Sequence, residues 1–242
     1  MRLYHVGFSL IEVLVAMAVM IIIVVMVTNM FRDASEAWDI GTQRAEMNTS
    51  ARAAIEYIAR ELSCAMAGSI PDSAGVVQSV KRFELENNAD NTINLSFVSL
   101  SGDNRTLRGN RFRYYNNVIQ TCRFNDGSNS FHSYESVPTD WTGPSWPWPD
   151  LIITNVWKFH VTVCSNESDM IKGGVGYAYD SSASANSNLL PACVDISIEM
   201  LGERDMVRAL SLTPGPQQDG FVMTNSRVYT TRVCFPNRGG SR

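Results

Sequence analysis

Histidine is nearly missing from this chain: 242 residues hold three, His5, His132 and His160. Little is left from which to build a general base or a metal site. No G-x-S-x-G run occurs, and the acidic residues are scattered rather than paired. The chain is therefore read as no enzyme, with no cofactor implied. CxxC is missing too. The five cysteines, Cys64, Cys122, Cys164, Cys193 and Cys234, stand far apart, which argues against zinc. Gly173-Gly174-Val175-Gly176 is followed by neither a helix pattern nor a Lys-Ser/Thr ending, so it is no phosphate loop. With a formal net charge of −4, no basic stripe and no block of like charge, nothing points to directly bound nucleic acid.

What is present is concentrated at the start. From Phe8 to Val27 only Ser9 and Glu12 are polar, and from Val13 to Val27 the sequence is apolar without a break. About twenty helical residues cross a bilayer core, so this stretch is long enough. A cleaved secretory signal fits poorly, because no small-x-small site follows the run. A plain membrane anchor leaves Glu12 unexplained, since a carboxylate in an apolar span costs about 2.5–3.5 kcal/mol near the centre and less near the end.

Gly7-Phe8-Ser9-Leu10-Ile11-Glu12, behind a short leader bearing Arg2, resembles the cleavage signal of type IV pilins and pseudopilins. The resemblance implies cutting by a prepilin peptidase between Gly7 and Phe8, methylation of Phe8, and an assembly role for Phe8 and Glu12. The physics agrees. Cleavage exposes an α-amine that is costly to bury alone. The Glu12 carboxylate of a neighbouring subunit can pair with it, a head-to-tail contact that propagates into a filament. Arg2 holds the start in the cytoplasm, so the remainder is expected outside the inner membrane, as a single-pass periplasmic domain. The implied partners are the prepilin peptidase, other pilin-like subunits, the inner-membrane assembly platform and membrane lipid. The organisation read from this is a leader (1–7), a transmembrane half-helix (8–29), an amphipathic half-helix (30–68) and an extracytoplasmic β-rich domain (69–242). Two other readings stay open: a surface adhesion or ligand-binding subunit, and an unassembled single-pass membrane protein.

Past the span, Phe31, Ala34, Trp38, Ala45, Ala51, Ile55, Ile58, Leu62 and Ala65 recur largely at spacings of three and four, the stripe of an amphipathic helix ending near Gly68. After Pro71 alternating runs take over. Strands are expected at 92–100 (Ile93, Leu95 and Phe97 on one face), 111–115, 118–124, 156–164 (Trp157, Phe159, Val161 and Val163 inward), 193–201 and 227–235. Turns are expected at 101–104, Asn116-Asn117, Asp126-Gly127 and Pro214-Gly215-Pro216. A long helix followed by strands gives an α+β fold, the helix packed on an antiparallel sheet. Residues 190–198, a Leu-Pro and then an alternating strand, are similar to the late strand of J-type minor pseudopilins of type II secretion and related large minor pilins.

Three further features are open. Trp141, Trp146 and Trp148, among prolines, form either a partner loop or a loop packing its own rings. Residues 173–188 read as a surface loop. Outside the cytoplasm one or two disulfides become available, with at least one thiol left over. Cys164–Cys193 would close the Gly/Ser-rich loop, and buried thiols are the alternative. Acidic loops bind calcium in pilin relatives, which makes residues 87–91 and 103–104 candidates.

Overall fold

The computed structural model describes residues 9–66, 83–87, 92–100, 107–125, 150–165, 176–181, 183–186 and 189–235. Helix α1 runs unbroken over Leu10–Ser63, through Gly41 and Asn48. The chain divides into two compact units, Met1–Glu46 and Met47–Arg242.

In the first unit the helix makes no core: every residue from Leu10 to Thr42 is exposed. Its most apolar 18-residue window has a mean hydropathy of 3.1, long and apolar enough by length and composition to cross a membrane.

The second unit is α+β. Strands β1 (Phe83–Asn87), β2 (Ile93–Leu100), β3 (Leu107–Tyr115), β4 (Val118–Asn125), β5 (Asp150–Ile153) and β7 (Tyr179–Asp180) form one antiparallel sheet in the order β5-β4-β3-β2-β1-β7. Strands β6 (Val156–Cys164), β8 (Cys193–Met200) and β9 (Arg227–Cys234) form a second, in the order β6-β8-β9. Between β8 and β9 two short helices are inserted, α2 (Glu203–Ser211) and α3 (Pro216–Asn225).

One hydrophobic core joins these layers. Met47, Ala51, Ala54, Ile55, Ile58 and Leu62 are the buried stripe of α1, spaced by three and four so that they share a face. They pack with Leu95, Phe97 and Phe112 of the larger sheet and with Phe159, Val161 and Ile196 of the smaller. Core-facing side chains recur at every second position on both sheets: Ile93, Leu95 and Phe97 on β2, whose other face is buried as well, and Val194, Ile196, Ile198 and Met200 on β8. The Asn116-Asn117 turn between β3 and β4 has both residues at positive φ, 49° and 63°, the left-handed pair that a two-residue hairpin needs and that asparagine tolerates. Asn117 also holds β6, its Nδ2 donating to the Val156 carbonyl at 3.0 Å.

Four expectations change. The packed surface is two sheets, not one. Trp157 does not join Phe159, Val161 and Val163 in the main core; a register shift between Val156 and Lys158 re-aims it, and it packs with Leu201, Met206, Ala209 and Val222 beneath α2 and α3. The stretch 173–188 is not all surface loop: Gly176 bridges to Val163, and the Tyr179–Asp180 strand closes the edge of the larger sheet beside β1, its Tyr179 ring buried. Pro214-Gly215-Pro216 is a turn, but Pro216 is also the first residue of α3, where a missing N–H costs nothing.

Candidate functional site

Of the sequence candidates, Glu12 is described and Gly7 and Phe8 lie outside the described residues, as do Trp141, Trp146, Trp148 and His132. Glu12 turns back onto the start of its own helix. Its Oε2 accepts the Ser9 backbone N–H at 2.9 Å. The Ser9 carbonyl accepts the N–H groups of Glu12 and Val13 at 3.0 and 3.3 Å. Ser9 and Glu12 have the Ser-x-x-Glu spacing of a capping box, in which a first-turn acid satisfies a backbone donor that the helix leaves orphaned. The carboxylate also sits at the positive end of the helix dipole. The Ser-x-x-Glu spacing of this cap is legible in the sequence itself.

Behind this cap the helix presents Val13, Leu14, Met17, Ile21, Val24 and their neighbours to the outside, with none of the apolar window buried. Removing each such side chain from water is worth about 1.5–3 kcal/mol. A surface of this kind is built to be covered, by lipid or by other helices. Phe31 and Trp38 carry the exposure further along, at 70% and 77%.

Where α1 enters the second unit its direction is fixed by charge as well as packing. Glu61 accepts from Arg123 Nη2 at 2.9 Å and lies 3.6 Å from Arg108 Nη2. The Arg123 guanidinium covers the Tyr57 ring at 5.2 Å and hydrogen-bonds its hydroxyl, while the same ring meets Phe112 edge-on at 6.0 Å. Burial raises the Tyr57 pKa, against the lowering influence of Arg123. A helix rotated by one residue would take Tyr57 and Glu61 out of reach of the β3–β4 hairpin together.

A polar row runs across the larger sheet on the face turned from this core. The pairing register sets Glu84 beside Ser96, Ser96 beside Arg111 and Arg111 beside Cys122. All four are buried, and Arg111 Nε donates to Ser96 Oγ at 2.8 Å. Burial lowers the Arg111 pKa despite the nearby Glu86 and Glu84 carboxylates, and burial pushes the Cys122 thiol up. On the smaller sheet the equivalent face is buried at Cys164 and Cys193 and exposed at His160 and Arg232. There Arg232 makes a two-pronged contact with Asp195, at 2.6 and 2.7 Å, and those hydrogen bonds raise its pKa. His160 meets Tyr177 edge-on at 5.3 Å. Among the described residues no group of His, Cys, Asp or Glu converges as metal ligands, and of the calcium candidates only Asn87 is described.

No family model matches the sequence, and no curated protein matches it. Among solved structures the chain is similar to a type IV-like pilin from Thermus thermophilus, with 12% identity and a TM-score of 0.45, over 81% of this chain and 100% of the other. At that level of overlap the likeness bears on neither function nor any single residue.

Proposed function

We propose that this chain is a minor pilin-like subunit, made as a precursor, cut between Gly7 and Phe8 by a prepilin peptidase, methylated on Phe8, and inserted into a filament of the type II secretion or type IV pilus kind. The observation that carries the reading is the six-residue run Gly7-Phe8-Ser9-Leu10-Ile11-Glu12 set directly against an apolar helical stretch that is exposed along its length among the described residues. In the membrane the helix crosses once, with the β-rich domain on the periplasmic side. In the filament the apolar face is covered by neighbouring subunits, delivered from the lipid by the assembly platform.

Glu12 has two employments in this scheme. Before assembly its carboxylate satisfies the Ser9 N–H, as in the isolated chain. On assembly it takes the methylated amine of an adjoining Phe8, a full charge in place of a backbone dipole, and stronger for it in a medium that solvates neither. The two uses separate by substitution. Glu12→Gln keeps a carbonyl for the Ser9 N–H and loses the charge, whereas Glu12→Ala loses both.

The test is an intact-mass and N-terminal peptide measurement on chain recovered from membranes of a strain with an active prepilin peptidase. The expected start is a methylated Phe8, and a chain still carrying residues 1–7 overturns the processing claim. Co-purification with other pilin-like subunits is expected to be lost in Glu12→Gln as fully as in Glu12→Ala. Assembly that survives in Glu12→Gln would make the acid a helix cap and no more.

A further inference from the structure

Three of the five cysteines stand in one row across the smaller sheet. The β6–β8 register places Cys164 opposite Cys193, and the β8–β9 register places Cys193 opposite Cys234. All three are thiols in this structure. They share the face opposite Val163, Val194 and Val233, which belong to the core. Cys193 is the middle member and wholly buried, Cys164 is buried, and Cys234 is exposed. The thiols of Cys193 and Cys164 hydrogen-bond to one another. A metal is not what the row is shaped for: sulfurs strung across three strands do not converge, and no ligand group forms among the described residues.

The two pairs differ in kind. Val163 exchanges both its backbone hydrogen bonds with Gly176 on its outer side, at 2.9 and 2.7 Å. The backbone of Cys164 therefore points the other way, toward β8, and its carbonyl accepts the Ala192 N–H at 2.7 Å. Cys164 and Cys193 thus occupy a hydrogen-bonded rung. On the other side of β8 the Phe235 N–H donates to the Ala192 carbonyl at 3.0 Å, so Ala192 and Phe235 make the hydrogen-bonded rung and Cys193 and Cys234 the adjoining non-hydrogen-bonded one. Facing side chains are closer in the second kind, with Cα atoms about 4.5 Å apart against about 5.5 Å. A disulfide brings its Cβ atoms to about 3.8 Å. The closer rung needs the smaller adjustment.

We propose that Cys193 and Cys234 form a disulfide that staples the last strand to β8 once the domain is outside the cytoplasm, with Cys164 left as a buried thiol in reach of the bond. The placement outside the cytoplasm rests on the function proposed above; the pairing rests on the register. The oxidant is a disulfide, whether of an exported dithiol oxidase or of a small molecule. The exposed Cys234 thiolate attacks one sulfur of that disulfide and expels the other as a thiolate. Cys193 then attacks the Cys234 sulfur of the mixed disulfide and expels the second thiolate. Two protein thiols are oxidised, one external disulfide is reduced to two thiols, and the two protons pass to solvent or to the departing thiolates. Burial, and after it the hydrogen bond with Cys164, raise the pKa of the Cys193 thiol, so Cys234 is the one to meet the oxidant first.

Trypsin separates the three sulfurs, placing Cys164 in peptide 159–172, Cys193 in 173–204 and Cys234 in 233–238. The full chain, purified reduced in detergent, is oxidised with glutathione disulfide, alkylated and digested for mass spectrometry. A 173–204 peptide joined to 233–238, released by dithiothreitol and missing in Cys234→Ser, is the expected result. A 159–172 peptide joined to 173–204 in the unsubstituted chain, or three separately alkylated cysteines, overturns the pairing. Chain taken directly from cells under acid quench reads the location separately. The joined peptide is expected there too. A bond that forms with glutathione but is missing in cells leaves the pairing intact and removes the periplasmic placement.

Discussion

Tyr114 shows how much one side chain can tie together in this fold. It lies on β3, is buried, donates its hydroxyl to the Trp157 carbonyl at 2.7 Å, and packs its ring 6.2 Å from that of Phe159. It therefore joins the larger sheet to the smaller. Trp157 is the residue at the β6 irregularity, and an irregular strand leaves carbonyls that its ladder cannot use. Burial, with a further push from the Glu199 carboxylate, moves the Tyr114 pKa up to about 12. The sign follows from linkage. A phenol that ionises near 10 when unfolded and near 12 when folded contributes stability that is intact below pH 10 and is lost as pH rises toward 12. The loss over that window is up to about 3 kcal/mol, at about 1.4 kcal/mol per pH unit. In urea titrations of the full chain in detergent, the midpoint is expected to fall between pH 10 and 12. Tyr114→Phe should start about 1 kcal/mol less stable at pH 8, having lost one hydrogen bond, and should lose less of its stability over the same pH range. Parallel pH profiles for the two proteins would remove Tyr114 from the explanation.

Elements were legible in the sequence to the extent that their own residues carried the pattern. Val156–Cys164 and Cys193–Met200 alternate over eight or nine residues against a single core, and periodicity finds such strands. Strand β1 was not expected, because Phe-Glu-Leu-Glu-Asn reads as charged surface; its Glu84 is buried in a row whose other members come from β2, β3 and β4. The two-residue β7 exists only because Leu85 and Glu84 are there to pair with it. Helices α2 and α3 hide for a different reason. Gly202 and Gly215 stand at their starts with no side-chain cap, and Gly220 lies inside α3, so the capping signal is missing and a glycine stands where a helix former is favoured. Their stability comes instead from the small core with Trp157 and Phe221, which no local window can show. The cysteine row is invisible in the same way: residues 164, 193 and 234 become neighbours only through the order β6-β8-β9. A bond between Cys193 and Cys234 closes a 42-residue loop (234 − 193 + 1) around the whole α2–α3 insertion. Loop-closure entropy sets its worth at up to about 4 kcal/mol. Reduction is thus expected to lower the urea midpoint of the wild-type chain and to leave that of Cys234→Ser where it is. Equal effects of reductant on both would assign the stabilisation to some other pair.

At the scale of the whole molecule the burden of folding and the burden of exposure fall on different parts of one helix. Among the described residues the buried core begins at Met47; nothing before it is buried. Among the described residues none of the apolar stretch 13–27 is buried, yet at about 1.5–3 kcal/mol for each large side chain that stretch dominates behaviour in water. A chain beginning at residue 31 should therefore lose the need for detergent and keep the fold of the second unit. Its thermal transition is expected within a few degrees of that of the full chain, because no core contact has gone and a shift of that size corresponds to about 1 kcal/mol or less. Differential scanning calorimetry of the two proteins in the same mild detergent makes the comparison direct. A fall of ten degrees or more in the shortened chain would mean that the first unit does support the domain, and that the helix before Met47 has a folding role besides the one proposed for it in the membrane and the filament. Unchanged unfolding, with loss of membrane association and of co-purifying subunits, would separate the two halves of α1 as the sequence divides them: one half is held by its own chain, and the other is left for partners to cover.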